Sequence, residues 1–167
     1  MIGAELDLTL RPVTGLRISV GGTMVDSKIK NPAIVASPFA PITVDATGDP
    51  LPYTPKWQGQ ADIEYGFDLS GSTRAYVGAS STFRSKSYAV LGATLGPAGT
   101  EDLFKIKGYA LLDLRAGIEI DDRYKIQVFG KNVLDKAYWN NVTHIYDTVV
   151  RFYGQPVTYG VTLSAGF

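Results

Sequence analysis

Apolar and polar residues alternate along this chain in seven separate runs. In the first, Ile2, Ala4, Leu6, Leu8 and Leu10 are interleaved with Gly3, Glu5, Asp7, Thr9 and Arg11. The second interleaves Leu16, Ile18, Val20, Gly22 and Met24 with Arg17, Ser19, Gly21 and Thr23. The third, from Trp57 to Asp68, sets Trp57, Ala61, Ile63, Tyr65 and Phe67 against Gln58, Gln60, Asp62, Glu64 and Asp68. Further runs cover 74–84, 110–120, 124–131 and 157–167. Successive side chains of an extended strand point to opposite sides, so a period of two predicts two-faced β-strands. The apolar faces carry no charge. The opposite faces hold charged residues, Gln, Thr, Ser and Gly, with Tyr76, Leu111 and Phe129 as exceptions.

Alternation alone also fits a soluble β-sandwich. Strand length and connection length separate the two. Several runs reach about ten to twelve residues, against about five or six for strands of soluble domains. About nine to eleven residues, tilted, span a bilayer's apolar core. The connections alternate as well. Pro12–Gly15, Leu69–Ser72 and Asp121–Arg123 are tight turns rich in Gly, Pro, Asp and Ser, whereas 27–56, 85–108 and 133–156 are long links. Short turns on one side and long loops on the other are the layout of an outer-membrane barrel. Apolar-face aromatics fall near strand ends, with Trp57, Phe83 and Tyr159 toward the loops and Tyr65, Phe67, Tyr124 and Phe167 toward the turns. Between them lie Val, Leu, Ile and Ala, the pattern of two interfacial girdles. The expected fold is all-β: an antiparallel up-and-down meander of about seven long strands, a partial transmembrane β-barrel.

Seven strands do not close a single-chain bacterial barrel, which has an even number. An open edge in lipid leaves backbone N–H and C=O groups unpaired. Residues 1–167 are therefore expected to be part of a larger barrel, with the remaining strands supplied from elsewhere.

Composition narrows the function. The 167 residues are 45% hydrophobic and 19% charged, too apolar for a disordered chain. Sixteen basic and sixteen acidic residues cancel, which gives no electrostatic reason to expect nucleic acid. There is no cysteine and one histidine, so neither thiol chemistry nor a histidine-rich metal site is expected. No catalytic constellation appears: Ser80, Ser81 and Ser85 have only His144 as a prospective base, and nothing local places them together. Asp62, Glu64, Arg74, Asp113, Arg115 and Glu119 read as a charge-balanced inner wall. An enzyme, a bound metal and a cofactor are all unexpected.

Two C-terminal stretches carry a family resemblance. Asn132-Val133-Leu134-Asp135-Lys136-Ala137-Tyr138 resembles the element of Asn, two apolar residues, Asp, a basic residue and a later Tyr that follows the penultimate strand of TonB-dependent outer-membrane receptors. Gly154-Gln155-Pro156-Val157-Thr158-Tyr159 resembles that family's lead-in to its final strand, with Val157 where the family usually has Arg. Pro52-Tyr53-Thr54-Pro55-Lys56-Trp57 resembles a loop-to-strand segment of the same family, and a terminal Phe167 is expected of such barrels. The resemblance covers the whole chain, as the last seven of the family's twenty-two strands.

The resemblance implies a bacterial outer-membrane protein that takes up an iron chelate or similar scarce nutrient. It implies as partners membrane lipid, the barrel-assembly machinery (through Phe167 as a signal), the N-terminal strands and plug, and, through those missing parts, the TonB energy-coupling complex. The 167 residues hold no plug and are not expected to transport anything alone. Asn132 and Asp135 are expected to bond backbone groups where the strand leaves the sheet, and Pro156 suits a strand's first residue because it lacks a donor. Tyr138, Gly154 and Tyr159 complete this structural set. The third long link mixes aromatic and polar groups in Trp139, Asn140, His144, Tyr146, Arg151 and Tyr153, which suits contact with a ligand; packing of the loop on the rim is the competing role. A small autonomous porin-like barrel and a soluble β-sandwich binding module are the alternatives.

Overall fold

The computed structural model describes residues 1–100, 102–121, 123–145 and 148–166. Thirteen strands appear among them: β1 (Ile2–Leu10), β2 (Leu16–Asp26), β3 (Ile34–Ala36), β4 (Thr43–Asp45), β5 (Trp57–Ser70), β6 (Thr73–Arg84), β7 (Ser87–Tyr88), β8 (Lys105–Ile106), β9 (Tyr109–Ile120), β10 (Tyr124–Lys131), β11 (Trp139–Ile145), β12 (Thr148–Tyr153) and β13 (Thr158–Ala165). Seven of them form one antiparallel sheet in the order β1-β2-β5-β6-β9-β10-β13, the expected meander. The long links are not plain loops. Each contains a short two-stranded ribbon, β3–β4, β7–β8 or β11–β12. Two or three residues, as in β3, β4, β7 and β8, are too few for alternation to announce a strand, and the seven and six residues of β11 and β12 do not alternate.

Register carries the period of two across the whole sheet. Leu16, Tyr65, Val77, Ala116, Val128 and Val161 lie side by side on six successive strands, one uninterrupted apolar row. One residue along, Arg17, Glu64, Gly78, Arg115, Phe129 and Gly160 form the row on the opposite face. A slip by one residue would exchange the two faces. The turns pin the register. β5 and β6 are joined through Gly71 and Ser72, Gly15 adopts a positive φ of 83°, and Asp121 a positive φ of 52°. Neighbouring hairpins are also tied below the sheet: the Gly66 N–H donates to Gly15 O at 2.9 Å, and the Asp121 N–H to Ser72 O at 2.8 Å.

Burial is inverted relative to a soluble domain. On the apolar face Val128 is 51% exposed, Val161 64% and Leu163 73%, whereas Tyr76 on the other face is 6% exposed. No second sheet packs on the apolar face among the described residues, which removes the sandwich alternative. A continuous apolar belt of this extent calls for an apolar solvent. Tyr65 and Phe67 stack at 5.8 Å near the turn end, and the Tyr159 ring lies over Gly130.

The inner face is packed through its glycines. A Cβ on Gly117 would lie 2.5 Å from the Tyr76 hydroxyl, and one on Gly66 would lie 2.6 Å from Arg74. Phe129 covers Gly160 in the same way. Long inward side chains therefore lie flat over glycines on adjacent strands. Tyr76, out of place on a polar face by sequence, donates its hydroxyl hydrogen to Gln127 Oε1 at 2.7 Å, with Lys125 Nζ 4.8 Å from its ring centre.

The two faces should answer oppositely to charge. Val128→Arg is expected to cost about 2–4 kcal/mol in a bilayer, the usual penalty at mid-depth on a lipid face. Thr162→Arg, one register step away and inward, should be close to neutral. Denaturant titration of the protein folded into lipid vesicles measures both; equal effects would refute the assignment of faces.

Candidate functional site

Three groups of side chains stand out: an ionic bridge on the inner wall, a latch where β10 leaves the sheet, and a cluster joining the long links.

On the inner wall, Arg115 of β9 reaches Asp62 and Glu64 of β5. Its Nη1 lies 2.8 Å from Asp62 Oδ2, and its Nη2 lies 2.8 Å from Glu64 Oε2. The intervening strand β6 presents Gly78 in the same register row, and a Cβ there would lie 2.8 Å from the guanidinium carbon. Gly78 is thus the gap through which Arg115 crosses β6. Arg17 of β2 approaches the same carboxylates at 3.4 and 3.6 Å, and Lys125 pairs with Glu119 at 2.8 Å. The sequence announced a balanced wall. That one arginine would bridge two strands away was invisible until register placed a glycine between them.

The latch is built on Asn132, which is 2% exposed and has a positive φ of 47°, as does Asp135. Asn and Asp tolerate this left-handed region better than other non-glycine residues. The Asn132 side-chain amide donates to Lys136 O at 3.1 Å and Gln155 O at 3.0 Å, and its Oδ1 accepts the Lys136 N–H at 2.9 Å. Its own N–H donates to Asp113 Oδ1 at 2.8 Å, while Asp135 Oδ1 accepts the N–H of Val157 at 3.2 Å. Tyr138 packs on Tyr109 with ring centres 4.4 Å apart and planes tilted by 38°, and its ring occupies the space a side chain at Gly154 would need. The Gly154 N–H donates to Tyr138 O at 2.9 Å, and the Gln155 N–H to the Tyr138 hydroxyl oxygen at 3.2 Å. The segments 132–138 and 154–157, separate in sequence, thus form one hydrogen-bonded unit at the start of β13. Pro156 contributes no donor there, and Tyr159 follows on the apolar face.

The long links meet above the sheet around Ala89, Ala93, Phe104, Ile106 and Val142, with Phe39, Tyr88, Leu103 and Val149 packed against them. Phe39 meets Phe104 edge-on at 5.5 Å, and Phe104 meets His144 at 5.9 Å. Asp49 of the first link accepts the Gly92 N–H at 2.8 Å and the Thr94 hydroxyl. The Tyr53 hydroxyl points to Asn141 Oδ1 at 2.6 Å and Val142 O at 2.8 Å. Neither Asp49 nor Tyr53 stands out in the sequence as a tie between links; only their contacts reveal it.

The residues singled out in the third link share the β11–β12 ribbon. Trp139 pairs across it with Tyr153, and the Arg151 guanidinium lies 4.6 Å from the Trp139 ring centre while donating to Leu103 O at 3.1 Å. Trp139 and Arg151 are thus partly committed to packing. Asn140, His144 and Tyr153 are exposed, and Asn140 sits where the ladder shifts register. Tyr146 and Phe167 lie outside the described residues. A cavity of about 550 Å³ opens between Phe39, Pro97, Leu103, Phe104 and His144. A second, of about 470 Å³, lies on the inner wall and is bordered by Asp7, Gln58, Gln60, Arg84 and Tyr109. Among the described residues no three His, Asp or Glu side chains gather as a metal-binding group. Ser85, weighed as a nucleophile, instead accepts the Trp57 N–H at 3.0 Å.

Asn132→Ala removes a buried acceptor and two donated bonds, so a loss of about 1–3 kcal/mol is expected from the backbone groups left unpaired. Vesicle-based unfolding measures it; a neutral result would mean water takes over these bonds. In the links, Lys105 holds the Asp102 carboxyl below the ordinary carboxylate range by a hydrogen bond of 2.9 Å, aided by its charge and that of Lys107. A depressed folded-state value means that the contact stabilises above the unfolded carboxylate's range, about pH 4, and is lost as pH falls through the lower folded value. Carboxyl-carbon NMR titration should place the Asp102 midpoint below that of the Lys105→Met variant.

The family profile described as TonB dependent receptor-like, beta-barrel matches residues 3–133. Three solved structures share the fold. The ferric yersiniabactin uptake receptor FyuA from Yersinia pestis superposes with a TM-score of 0.77 at 16% identity, over 99% of this chain and 23% of that one. The siderophore receptor PiuA from Acinetobacter baumannii gives 0.71 at 18% identity, over 98% and 21%. BauA, the ferric preacinetobactin receptor from Acinetobacter baumannii, gives 0.66 at 19% identity, over 98% and 21%. The chain thus spans under a quarter of the length of each. Comparison with curated protein sequences finds no match. With the profile matching most of its length and the meander superposing on barrel walls, this chain belongs to the TonB-dependent receptor β-barrel family.

Proposed function

We propose that these 167 residues form the C-terminal wall and part of the outer mouth of a TonB-dependent receptor that takes up an iron chelate or similar scarce nutrient across the bacterial outer membrane. The observation that carries this reading is polarity of construction. The sheet presents lipid-compatible side chains outward and a hydrogen-bonded charged wall inward, and all three long links gather on one side of it. A wall of this kind can enclose a plug; the strands and plug that complete it lie beyond the seven described strands. Transport and contact with the TonB energy-coupling complex belong to the completed receptor and not to this wall alone. Insertion by the barrel-assembly machinery, with Phe167 as part of the signal, belongs to the same reading.

The ligand-contacting positions of the mouth are Trp139, Asn140, His144, Tyr146, Arg151 and Tyr153. Exposed Asn140, His144 and Tyr153 offer hydrogen bonds and a ring face, and Trp139 with Arg151 offers a cation-backed aromatic surface. The names of the similar structures, siderophore receptors among them, support a chelate as cargo. A porin-like autonomous barrel finds no support in a sheet whose ends, β1 and β13, are not paired to each other.

Trp57 and Trp139 are the two tryptophans of these 167 residues. In the assembled receptor, a ferric chelate should quench tryptophan fluorescence, and the quenching should shrink in Trp139→Phe but not in Trp57→Phe. Arg151→Ala should weaken binding about fivefold or more, as truncation of an interface anchor does. A panel of ferric catecholate, hydroxamate and phenolate chelates that leaves the fluorescence unchanged would sink the cargo assignment.

A further inference from the structure

The three ribbons of the long links bring their connecting segments to one place. Phe39 lies in the turn between β3 and β4, Pro97, Thr100 and Leu103 lie between β7 and β8, and His144 and Val149 lie near the turn of β11–β12. Together they enclose the cavity of about 550 Å³, a volume within the range of small-molecule pockets. Trp139 and Arg151, at the root of the β11–β12 ribbon, lie outside its lining. Arg151 nevertheless holds one wall, because it donates to Leu103 O at 3.1 Å. The cavity is therefore next to the proposed ligand contacts and distinct from them, with His144 common to both.

Its walls are fixed by bonds within each link. The turn carrying Pro38, Phe39 and Pro41 is closed by the Ser37 N–H, which donates to Ile42 O at 2.8 Å. On the second link the Thr100 N–H donates to Pro97 O at 3.1 Å, and the Leu103 N–H to Thr100 O at 3.0 Å. Gly96 lets these two links close on each other, since a Cβ there would lie 2.6 Å from the Phe39 ring. Phe39 then meets Phe104 edge-on, and Phe104 meets His144 in the same manner. A pocket held in this way binds without first having to order its loops. The lining also restricts the occupant. Among the described residues no Asp, Glu, Lys or Arg borders the cavity, so a charged group would leave water without a partner. Both hydroxyls are committed to their own turns: Ser37 Oγ accepts the Phe39 N–H at 3.2 Å, and the Thr100 hydroxyl donates to Pro97 O at 2.7 Å. The His144 imidazole is exposed and makes no hydrogen bond among the described residues. What the cavity offers is aromatic and proline rings with one free polar group.

We infer that this cavity is a binding pocket for an uncharged aromatic or heteroaromatic ring carrying one hydrogen-bonding group, with the ring against Phe39 and Phe104 and the polar group at His144. The inference rests on the cargo reading above and deepens it. The receptor prefers chelates that bear such a ring away from the metal, and Trp139 with Arg151 contacts the remainder. An aliphatic group of similar size fills the same space but forgoes the ring–ring contacts. A charged substituent is rejected.

The test uses the assembled receptor in vesicles. Ferric catecholate, hydroxamate and phenolate chelates are each made with one substituent remote from the metal: cyclohexyl, phenyl or hydroxyphenyl. Equilibrium binding of the radioactive iron is measured. Within whichever chelate class binds, phenyl should bind about threefold or more tightly than cyclohexyl, the range of an aromatic pair, and hydroxyphenyl more tightly still. Phe39→Leu should remove the preference for phenyl over cyclohexyl, with heat-modifiable gel migration showing that the variant is folded. His144→Leu should remove only the preference for hydroxyphenyl over phenyl. On the unaltered receptor, a phenyl-azide version of the same chelate should attach on photolysis to residues 37–41, 97–104 or 144–149. Equal binding of the three substituents, or attachment confined to other residues, would overturn the inference while leaving the cargo reading in place. Failure of every chelate to bind would overturn the cargo reading, and the inference with it.

Discussion

Inside a bilayer a backbone N–H or C=O has no water to fall back on, and each one left unpaired costs several kcal/mol. That constraint organises everything described above. It forces the chain into long, fully laddered strands. It demands turns that hand one strand to the next without a gap, as Gly71-Ser72 does between β5 and β6. It also makes the two outermost strands the places where the structure is least satisfied by itself. The hydrophobic belt determines where the sheet resides; the backbone ladder determines what shape it must have there.

The inner face meets a second requirement. A wall that faces water or a protein plug can carry charge, but charges on a half-shielded surface are most stable when matched. Arg115 matches two carboxylates on β5 by crossing a strand that has no side chain in its path. Glycine in a strand ordinarily weakens it, through lost packing and added entropy. Here the vacancy at Gly78, Gly117 or Gly160 is filled by an arginine, a tyrosine or a phenylalanine from the adjacent strand. Glycines on this face thus make room for larger side chains of the adjacent strand, Tyr76 over Gly117 among them.

Above the sheet the physics changes back to that of a soluble protein. Phe104 and Val142 are fully buried among the links, and the buried Asp49 is hydrogen-bonded. The links are thus held to one another as well as to their strands. A latch at Asn132 sets where β10 ends and where β13 begins, so it fixes the root of the β11–β12 ribbon that carries the proposed ligand contacts. Rigid roots with exposed tips are a common arrangement for recognition loops.

The sequence by itself determined the seven long strands, their faces and the side on which the turns lie, because a period of two sustained over ten residues records both strand and solvent; the family was legible only through the resemblance of its motif residues. The motif residues 132–138 and 154–159 were legible as two separate stretches. Tertiary structure alone decided which distant groups meet: Arg115 with Asp62 and Glu64, Asn132 with Gln155, Tyr53 with Asn141, and Trp139 with Arg151. It also decided that the long links fold into ribbons around a small core of their own. The reason is that alternation is a local property, read one residue at a time, whereas register and loop packing join residues separated by tens of positions, and no local pattern encodes which glycine will lie beneath which side chain.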